Sequence, residues 1–177
     1  YYSEDPCLSG EMAAGMIKGI QGEGVGACVK HFACNNSDTR RTRLNCMVEP
    51  RALHEIYLAG FERAIKKAAP AAVMGSYNQI NGEQACESPW LLNHVLRELW
   101  GFKGTVLSDW GAVKDSVKAV KAGLDLQMPH SIQYMDSVKK ALETGELSSQ
   151  DLDEHCERIL SLVFTYSMEG RARPKGG

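Results

Sequence analysis

The chain has 177 residues, of which 44% are hydrophobic and 24% are charged, a composition typical of a globular domain with a sizeable core. Its formal net charge of −2 gives a nucleic-acid partner no electrostatic support. No apolar run approaches the roughly 20 residues of a membrane-spanning helix, so the sequence argues against both a nucleic-acid and a membrane partner.

The first part of the chain alternates helical patterns with short apolar runs. A helix is predicted over residues 9–20, a strand over 27–32 and a polar loop over 35–45. The clearest helix follows at 50–69, where apolar and charged residues fall on opposite faces. A buried strand is predicted next, at 72–77.

The second part of the chain continues the alternation. Ser88 and Pro89 form a cap and first-turn pair for a helix that reaches residue 100. The remaining strands are predicted at 104–108 and 124–128, and the remaining helices at 113–122, 132–143 and 152–166. Ser148 with Asp151 resembles a capping box for the last of these helices.

The order of these elements predicts the fold class. Strands that alternate with helices indicate an α/β fold, with a parallel sheet covered by helices. The four consecutive βα units correspond to half of a TIM-like (β/α)8 barrel. A complete four-stranded doubly wound sheet is the alternative that this pattern leaves open. The end of the chain, residues 167–177, is typical of a linker or tail.

Candidate functional groups follow the predicted strands, because such groups collect at the carboxyl ends of strands in barrels and open sheets. Asp109 comes directly after an apolar strand, where an unpaired buried carboxylate would be costly. Lys30, His31 and Arg41 are the nearby groups that could keep it ionised. A positioned carboxylate of this kind is what a retaining glycosidase uses to attack the anomeric carbon. The alternative is an aspartate that caps the following helix.

Other side chains near Asp109 suggest sugar contacts, each with an ordinary structural alternative. Trp110 offers a flat apolar face to a sugar ring, or is a core or rim tryptophan. Lys30 and His31 could donate hydrogen bonds to hydroxyls, or form a structural ion pair and a satisfied histidine. Lys30, if buried on a barrel strand, could instead form a Schiff base. Tyr77 could orient the carboxylate through its hydroxyl, or be an ordinary half-buried tyrosine.

The cysteines do not indicate a metal site. The chain has six, with no Cys-x-x-Cys pair and no histidine at a zinc-finger spacing. We predict small buried residues or free thiols. A disulfide between Cys34 and Cys46, across the polar loop, is the alternative.

Four short motifs occur in a fixed order along the chain. They are Tyr1-Tyr2-Ser3-Glu4-Asp5-Pro6, Lys30-His31-Phe32-Ala33-x-Asn35-Asn36, Ser76-Tyr77-Asn78 with Asn81-Gly82, and Ser108-Asp109-Trp110-Gly111. Together they resemble the family 3 glycoside hydrolases, in the order and spacing of the bacterial β-glucosidases. The resemblance extends over roughly Tyr1 to Phe164.

The resemblance implies a place for the chain within a larger enzyme. Residues 1–166 would be the C-terminal half of the catalytic barrel, and 167–177 would lead towards a second domain. About four earlier strands would carry a sugar-anchoring Asp and another Arg, and a following α/β sandwich domain would supply the general acid/base Glu. We therefore expect a fragment that is inactive alone. The start of the chain has no signal-peptide pattern. A cytoplasmic location is favoured, and a secreted or periplasmic one follows if an upstream signal is missing.

The resemblance also implies residue roles. Asp109 would be the nucleophile in the removal of terminal non-reducing β-D-glucose with retention of configuration. The sugar-binding residues would be Lys30, His31, Arg41, Met74, Tyr77 and Trp110. No metal or organic cofactor is implied, and the substrate would be a small glycoside or oligosaccharide. Glu83 and Glu87 lie in a loop where they could act as an acid, but the resemblance gives that role to neither.

Three other functions stay open at this point. The first is a β-xylosidase, arabinosidase or N-acetylglucosaminidase of the same family. The second is a lyase that forms a Schiff base through Lys30. The third is a non-catalytic remnant that holds sugar through Lys30, His31 and Trp110.

Overall fold

Two small sheets organise the chain, and the computed structural model describes residues 2–167 of it. The strands are β1 (Cys28–Phe32), β2 (Asn45–Cys46), β3 (Ala72–Gly75), β4 (Gln79–Ile80), β5 (Glu83–Gln84) and β6 (Thr105–Ser108). In the main sheet, β1, β3 and β6 pair in parallel in that order. The strands β2, β4 and β5 form the second sheet, in which β2 and β4 are parallel and β4 and β5 antiparallel.

The register of the main sheet separates two faces. Val73 and Val106 are paired across β3 and β6 and are fully buried in the main hydrophobic core. Lys30, Met74 and Leu107 form the row on the opposite side, and each of them retains solvent exposure. Because successive residues of a strand point to opposite faces, the sheet has one helix-covered face and one open face.

Helices precede, connect and follow the strands of the main sheet. They are α1 (Pro6–Gly22), α2 (Pro50–Ala52), α3 (Ala59–Ala68), α4 (Ser116–Lys121), α5 (Ile132–Glu143) and α6 (Ser149–Tyr166), with π-helical stretches at Leu53–Leu58 and Trp90–Leu99. The first π-helical stretch joins α2 and α3 into one continuous helix over 50–68. Within residues 2–167, no helix has the length and apolar character needed to span a membrane.

Aromatic contacts fix the first strand to the helical layer. The ring of Phe32 is fully buried and meets Phe61 edge-on, with ring centroids 5.2 Å apart. It meets Trp100 in the same way at 5.6 Å. Since edge-to-face aromatic pairs add about 0.5–1.5 kcal/mol each beyond area burial, this cluster holds the end of β1 in place.

Most predicted helices are present, and local capping explains how their ends differ from the prediction. The helix predicted at 9–20 begins at Pro6, because the Asp5 carboxylate accepts the backbone N–H of Cys7 at 2.7 Å. The helix predicted at 113–122 begins only at Ser116, where Asp115 caps it. The capping box of Ser148 and Asp151 is confirmed, and it starts α6 at Ser149.

The strand predicted at 124–128 was too long. Only Leu126 pairs with the main sheet, through an isolated parallel bridge to Leu107. A side chain replaces part of the ladder here, because the Asp125 carboxylate accepts the backbone N–H of Val106 at 2.7 Å. The β2–β4–β5 sheet, by contrast, was not predicted, since two-residue strands carry no alternating pattern.

The cysteines are free, as the first interpretation predicted, and the alternative disulfide between Cys34 and Cys46 was wrong. The Cys46 thiol instead donates a hydrogen bond to the backbone carbonyl of Cys34 at 3.1 Å. Burial raises the pKa of the Cys34 thiol to about 12, which keeps it protonated.

The α/β class is confirmed by the parallel sheet and its helices. The narrower prediction of four units forming half of a barrel stays a prediction. The predicted linker lies, from residue 168 onward, outside the described residues.

Candidate active site

The candidate site lies at the carboxyl ends of β1, β3 and β6. Asp109 directly follows the last residue of β6, and its backbone N–H donates to the carbonyl of Gly75 at the end of β3, at 3.2 Å. His31 lies near the end of β1. Parallel pairing brings these strand ends to one edge of the sheet, which is where Asp109 and His31 meet.

The Asp109 carboxylate faces His31. Its Oδ2 atom lies 3.3 Å from His31 Nε2, and 16% of the Asp109 side chain and 21% of the His31 side chain are exposed. Its Oδ1 atom accepts the backbone N–H of Trp110 at 2.7 Å. The helix-capping alternative is wrong, because the next helix, α4, is capped by Asp115. Asp109 is therefore a partly exposed carboxylate held at a strand end beside one imidazole.

The imidazole of His31 is neutral at neutral pH. Burial lowers the pKa of His31 below its ordinary value of 6.5, and this effect outweighs the opposite effect of the Asp109 carboxylate. The positive charges of Lys30 and Arg41 lower this pKa further. A neutral ring that carries its proton on Nε2 would donate a hydrogen bond to Asp109 without neutralising its charge.

Tyr77 joins the Asp109 loop to the end of β3. The side chain is buried, and its hydroxyl donates to the backbone carbonyl of Trp110 at 3.0 Å. Burial, and after it the neighbouring Asp109 carboxylate, raises the pKa of Tyr77, so the phenol stays a donor. The guanidinium of Arg41 lies 4.5 Å from the centre of the Tyr77 ring and pairs with Asp38 at 3.3 Å.

The other predicted residues border this cluster. The Trp110 side chain is exposed and adjoins Asp109. Lys30 is exposed on the open face, where its row continues to the half-buried Met74. A Schiff-base lysine is activated by burial, and Lys30 is exposed among residues 2–167, so the lyase alternative stays a prediction. A cavity of about 310 Å³ lies beside Lys30 and His31 and extends to residues of α1 and α3.

Glu83 and Glu87 are both engaged elsewhere. Glu83 accepts the hydroxyl of Ser88 at 2.5 Å. Glu87 is buried, and one of its oxygens accepts the backbone N–H groups of Lys114 at 2.5 Å and Asp115 at 2.9 Å. These contacts give both carboxylates structural roles and leave neither poised as an acid.

Two residues that support the site were not assigned a role from the sequence. Ser76 donates its hydroxyl to the backbone carbonyl of Ala33 at 2.8 Å, and the Asn78 amide donates to the same carbonyl at 3.1 Å. Both are buried and flank Tyr77, so they tie the segment after β3 to the segment after β1. In the sequence they stood out only as the residues on either side of Tyr77 in the motif Ser76-Tyr77-Asn78.

A metal site is not formed by the described residues. Within residues 2–167, no group of three or more His, Cys, Asp or Glu side chains is arranged to hold a metal ion. The chemistry that these residues offer is that of one carboxylate, neutral and cationic donors and an exposed aromatic face.

The fold and the site first define a class: an α/β protein whose strand ends present a carboxylate, basic groups and an exposed tryptophan, as glycoside hydrolases do. The model of the Glycosyl hydrolase family 3 N terminal domain matches residues 1–162. The chain therefore belongs to glycosyl hydrolase family 3.

The chain is similar to curated relatives named as β-glucosidases and as an arabinopyranosidase. It is 50% identical over 165 residues to thermostable beta-glucosidase B of Acetivibrio thermocellus, which is 93% of this chain and 22% of that protein. It is 45% identical over 163 residues to exo-alpha-(1->6)-L-arabinopyranosidase of Bifidobacterium breve, covering 92% of this chain and 21% of that protein. The chain thus spans about a fifth of the length of these relatives.

Solved structures share the fold closely. Beta-glucosidase 3B from Thermotoga neapolitana in complex with glucose superposes with a TM-score of 0.90 at 47% identity, over 93% of this chain and 24% of that one. A GH3 beta-glucosidase from Bifidobacterium adolescentis superposes with a TM-score of 0.94 at 41% identity, over 100% of this chain and 26% of that one.

Proposed function

We propose that the chain supplies the nucleophile and part of the sugar pocket of a retaining β-glucosidase. The observation that carries this proposal is the contact of 3.3 Å between Asp109 and His31 at adjoining strand ends. Tyr77 and Trp110 border the same carboxylate, Arg41 lies against the Tyr77 ring, and these side chains would contact or frame the sugar. Lys30 and Met74 would line the pocket from the open face.

The chemistry follows from the placement of Asp109. Its carboxylate would attack the anomeric carbon of a terminal β-glucoside and form a glycosyl ester as the bond to the leaving oxygen breaks. Water would then cleave this ester, which restores the carboxylate and returns glucose with its configuration retained. The neutral His31 can donate a hydrogen bond during both steps without quenching the nucleophile.

The general acid/base lies outside the described residues in this proposal. A retaining enzyme needs a second carboxyl group roughly 5–5.5 Å from the first. Glu83 and Glu87 are both occupied by the contacts described above. We therefore assign the chain to the C-terminal half of the catalytic barrel, with the remaining half and a sandwich domain completing the enzyme. The open face of the sheet supports this, because a barrel would cover it.

A covalent label tests the nucleophile without requiring the acid. The complete enzyme that contains this chain would be incubated with a fluoroglucoside whose leaving group is dinitrophenolate, since so weak a base departs without protonation, and the digest would be analysed by mass spectrometry. We expect the label on Asp109 and its loss in Asp109→Asn. Asp153→Asn, which changes an exposed helical carboxylate, should label like the wild type. A label on another residue, or none on the wild type, would refute the proposal.

The arabinopyranosidase among the relatives favours a second candidate substrate class. An α-L-arabinopyranoside offers the same leaving-group geometry with the C4 hydroxyl inverted and no hydroxymethyl group, and the same nucleophile would serve it. The two candidates are separated by labelling rates with the matching fluoroglucoside and fluoroarabinopyranoside. Faster labelling by the glucoside supports the first function, and faster labelling by the arabinopyranoside supports the second.

A further inference from the structure

A tight hairpin lies beneath the candidate nucleophile loop. The strands β4 and β5 pair Gln79 with Gln84 and Ile80 with Glu83, and Asn81-Gly82 forms the turn between them. Both turn residues have positive φ values, of 51° and 92°, as a two-residue type I′ turn requires. This geometry fixes the direction of β5, so that the Gln84 side chain is buried in the interior.

The Gln84 side chain bridges the two loops that build the site. Only 8% of the residue is exposed, and its Nε2 atom donates to the carbonyl of Tyr77 at 2.6 Å and to that of Ala112 at 3.1 Å. Tyr77 belongs to the segment after β3, and Ala112 to the segment after β6. An amide has two N–H donors, so both are used here on backbone carbonyls.

Ala112 is one turn away from the candidate nucleophile. The backbone N–H of Ala112 donates to the carbonyl of Asp109 at 3.1 Å, which closes the chain between them. Glu87 holds the far end of the same loop through the N–H groups of Lys114 and Asp115. A displacement of Ala112 is therefore transmitted to Asp109, because the loop is fixed at both ends.

We propose that Gln84 is a positioning residue that sets the carboxylate of Asp109 against His31. Its amide fixes the position of the Asp109 loop relative to the end of β3, which carries Tyr77. Asp109 and Tyr77 would therefore approach the sugar from fixed directions. This inference rests on the proposed function for its catalytic meaning. The structural part of the inference, that the Asp109–His31 contact depends on Gln84, is independent of the proposed function.

The variant Gln84→Met tests the inference, because methionine matches glutamine in length and has no N–H donor. His31 would be titrated by NMR in the wild type and the variant. The charged groups that act on His31 are Asp109, Lys30, Arg41 and Asp38, and Asp109 raises its pKa. We expect the pKa of His31 to fall in the variant as Asp109 moves away. An unchanged titration would overturn the inference.

Two further variants control for general loss of stability. Ile80→Val removes a buried methylene from the same hairpin without touching either loop carbonyl, so it should destabilise the fold and leave the His31 titration unchanged. Gln84→Asn keeps both donors on a shorter side chain, and we expect a shift of the His31 pKa between those of the wild type and Gln84→Met. If Gln84→Met does not fold, the His31 titration of Gln84→Asn tests the inference in its place.

The labelling reaction separates this inference from the proposed function. If the wild type labels on Asp109, Gln84→Met should label about tenfold more slowly or worse, since small misplacements of a reacting group have effects of this order. Equal labelling rates with an unchanged His31 titration would overturn the role of Gln84 and leave the nucleophile assignment intact. If the wild type does not label, the proposed function fails, and the titration alone decides whether Gln84 positions Asp109.

Discussion

Asp109 and Asp125 lie on neighbouring strand segments, but they differ in exposure and in the number of groups that bind their carboxylates. Asp109 keeps part of its side chain exposed and faces one neutral imidazole. Asp125 has no exposed side-chain surface and receives Arg97 at 2.8 Å, with His155 and Arg158 at 2.7 Å each. A carboxylate whose acceptor sites are all occupied is a structural anchor, whereas one with open sites is available to a substrate.

The electrostatics of Asp125 fit an anchoring role. Burial by itself raises the pKa of this carboxyl group, but the hydrogen bond from His155 and the charge of Arg97 outweigh it and hold the pKa below its ordinary value of 3.8. The carboxylate also accepts the backbone N–H of Val106. It thereby ties β6 to α6 and to the π-helical stretch Trp90–Leu99.

Replacing each aspartate by asparagine should give the largest difference in unfolding free energy between the two regions. Asp125→Asn leaves Arg97 without its counter-charge and Arg158 with only its contact of 3.5 Å to Glu154, and removal of one partner of a buried ion pair costs about 3–5 kcal/mol of unfolding free energy. Asp109→Asn loses one contact of a partly exposed group, and we expect a change below about 1 kcal/mol. Urea denaturation measures both. Equal losses in the two variants would mean that Asp109 is also an anchor.

Glu87 is a third carboxylate for this comparison, and its partners are backbone N–H groups. Glu87→Leu leaves the part-buried N–H groups of Lys114 and Asp115 without their acceptor, and we expect a loss of about 1–3 kcal/mol because donors left without a partner are costly. Glu87→Gln retains an acceptor oxygen, and it should lose less than half as much. If both variants lost the same free energy in urea denaturation, the negative charge and not the hydrogen bonds would be the stabilising feature.

The difference between the two aspartates was only half visible in the sequence. Asp109 was predicted as a functional carboxylate because a strand, a tryptophan and a glycine surround it locally. Asp125 was predicted only as a residue within the strand at 124–128. Its partners are 28, 30 and 33 residues away along the chain, and no local pattern indicates which distant cations converge on one carboxylate.

The same distinction explains the other successes and errors. Strand and helix alternation depends on local periodicity, which is why the βα order was predictable. The bridge made by Gln84 depends on a hairpin of two-residue strands, and the polar side chains of Ser76 and Asn78 gain meaning only from a carbonyl about 45 residues earlier. These contacts exist only once the sheet has formed.

Tyr77 offers a smaller test on the Asp109 side of the comparison. Tyr77→Phe removes the hydrogen bond to the carbonyl of Trp110, and we expect a loss of about 1 kcal/mol in urea denaturation. Tyr57 is the matched control, because it is half-buried and its hydroxyl has no hydrogen-bond partner among residues 2–167. Tyr57→Phe should leave stability within about 0.5 kcal/mol of the wild type. Similar losses in both would remove Tyr77 from the support of the loop.

The Asp109 region and the Asp125 region should change the free energy of unfolding in two different pH ranges. The pKa of His31 is lowered in the folded protein, so the unfolded chain binds a proton first as the pH falls through 6.5. Stability should therefore decline below that pH and level off once the folded pKa is passed. The pKa of Asp125 is also lowered, so its contribution is complete above its unfolded value and is lost as the pH falls below 3.8.

Urea midpoints recorded from neutral to acid pH would resolve these two declines. In His31→Gln the upper decline should be weaker and the lower one intact, because only the Asp109 side has lost its titrating partner. In Asp125→Asn the lower decline should be weaker and the upper one intact. A single variant that removed both declines would show that the two regions titrate as one unit, and the separation between an open carboxylate and an anchored one would then be wrong.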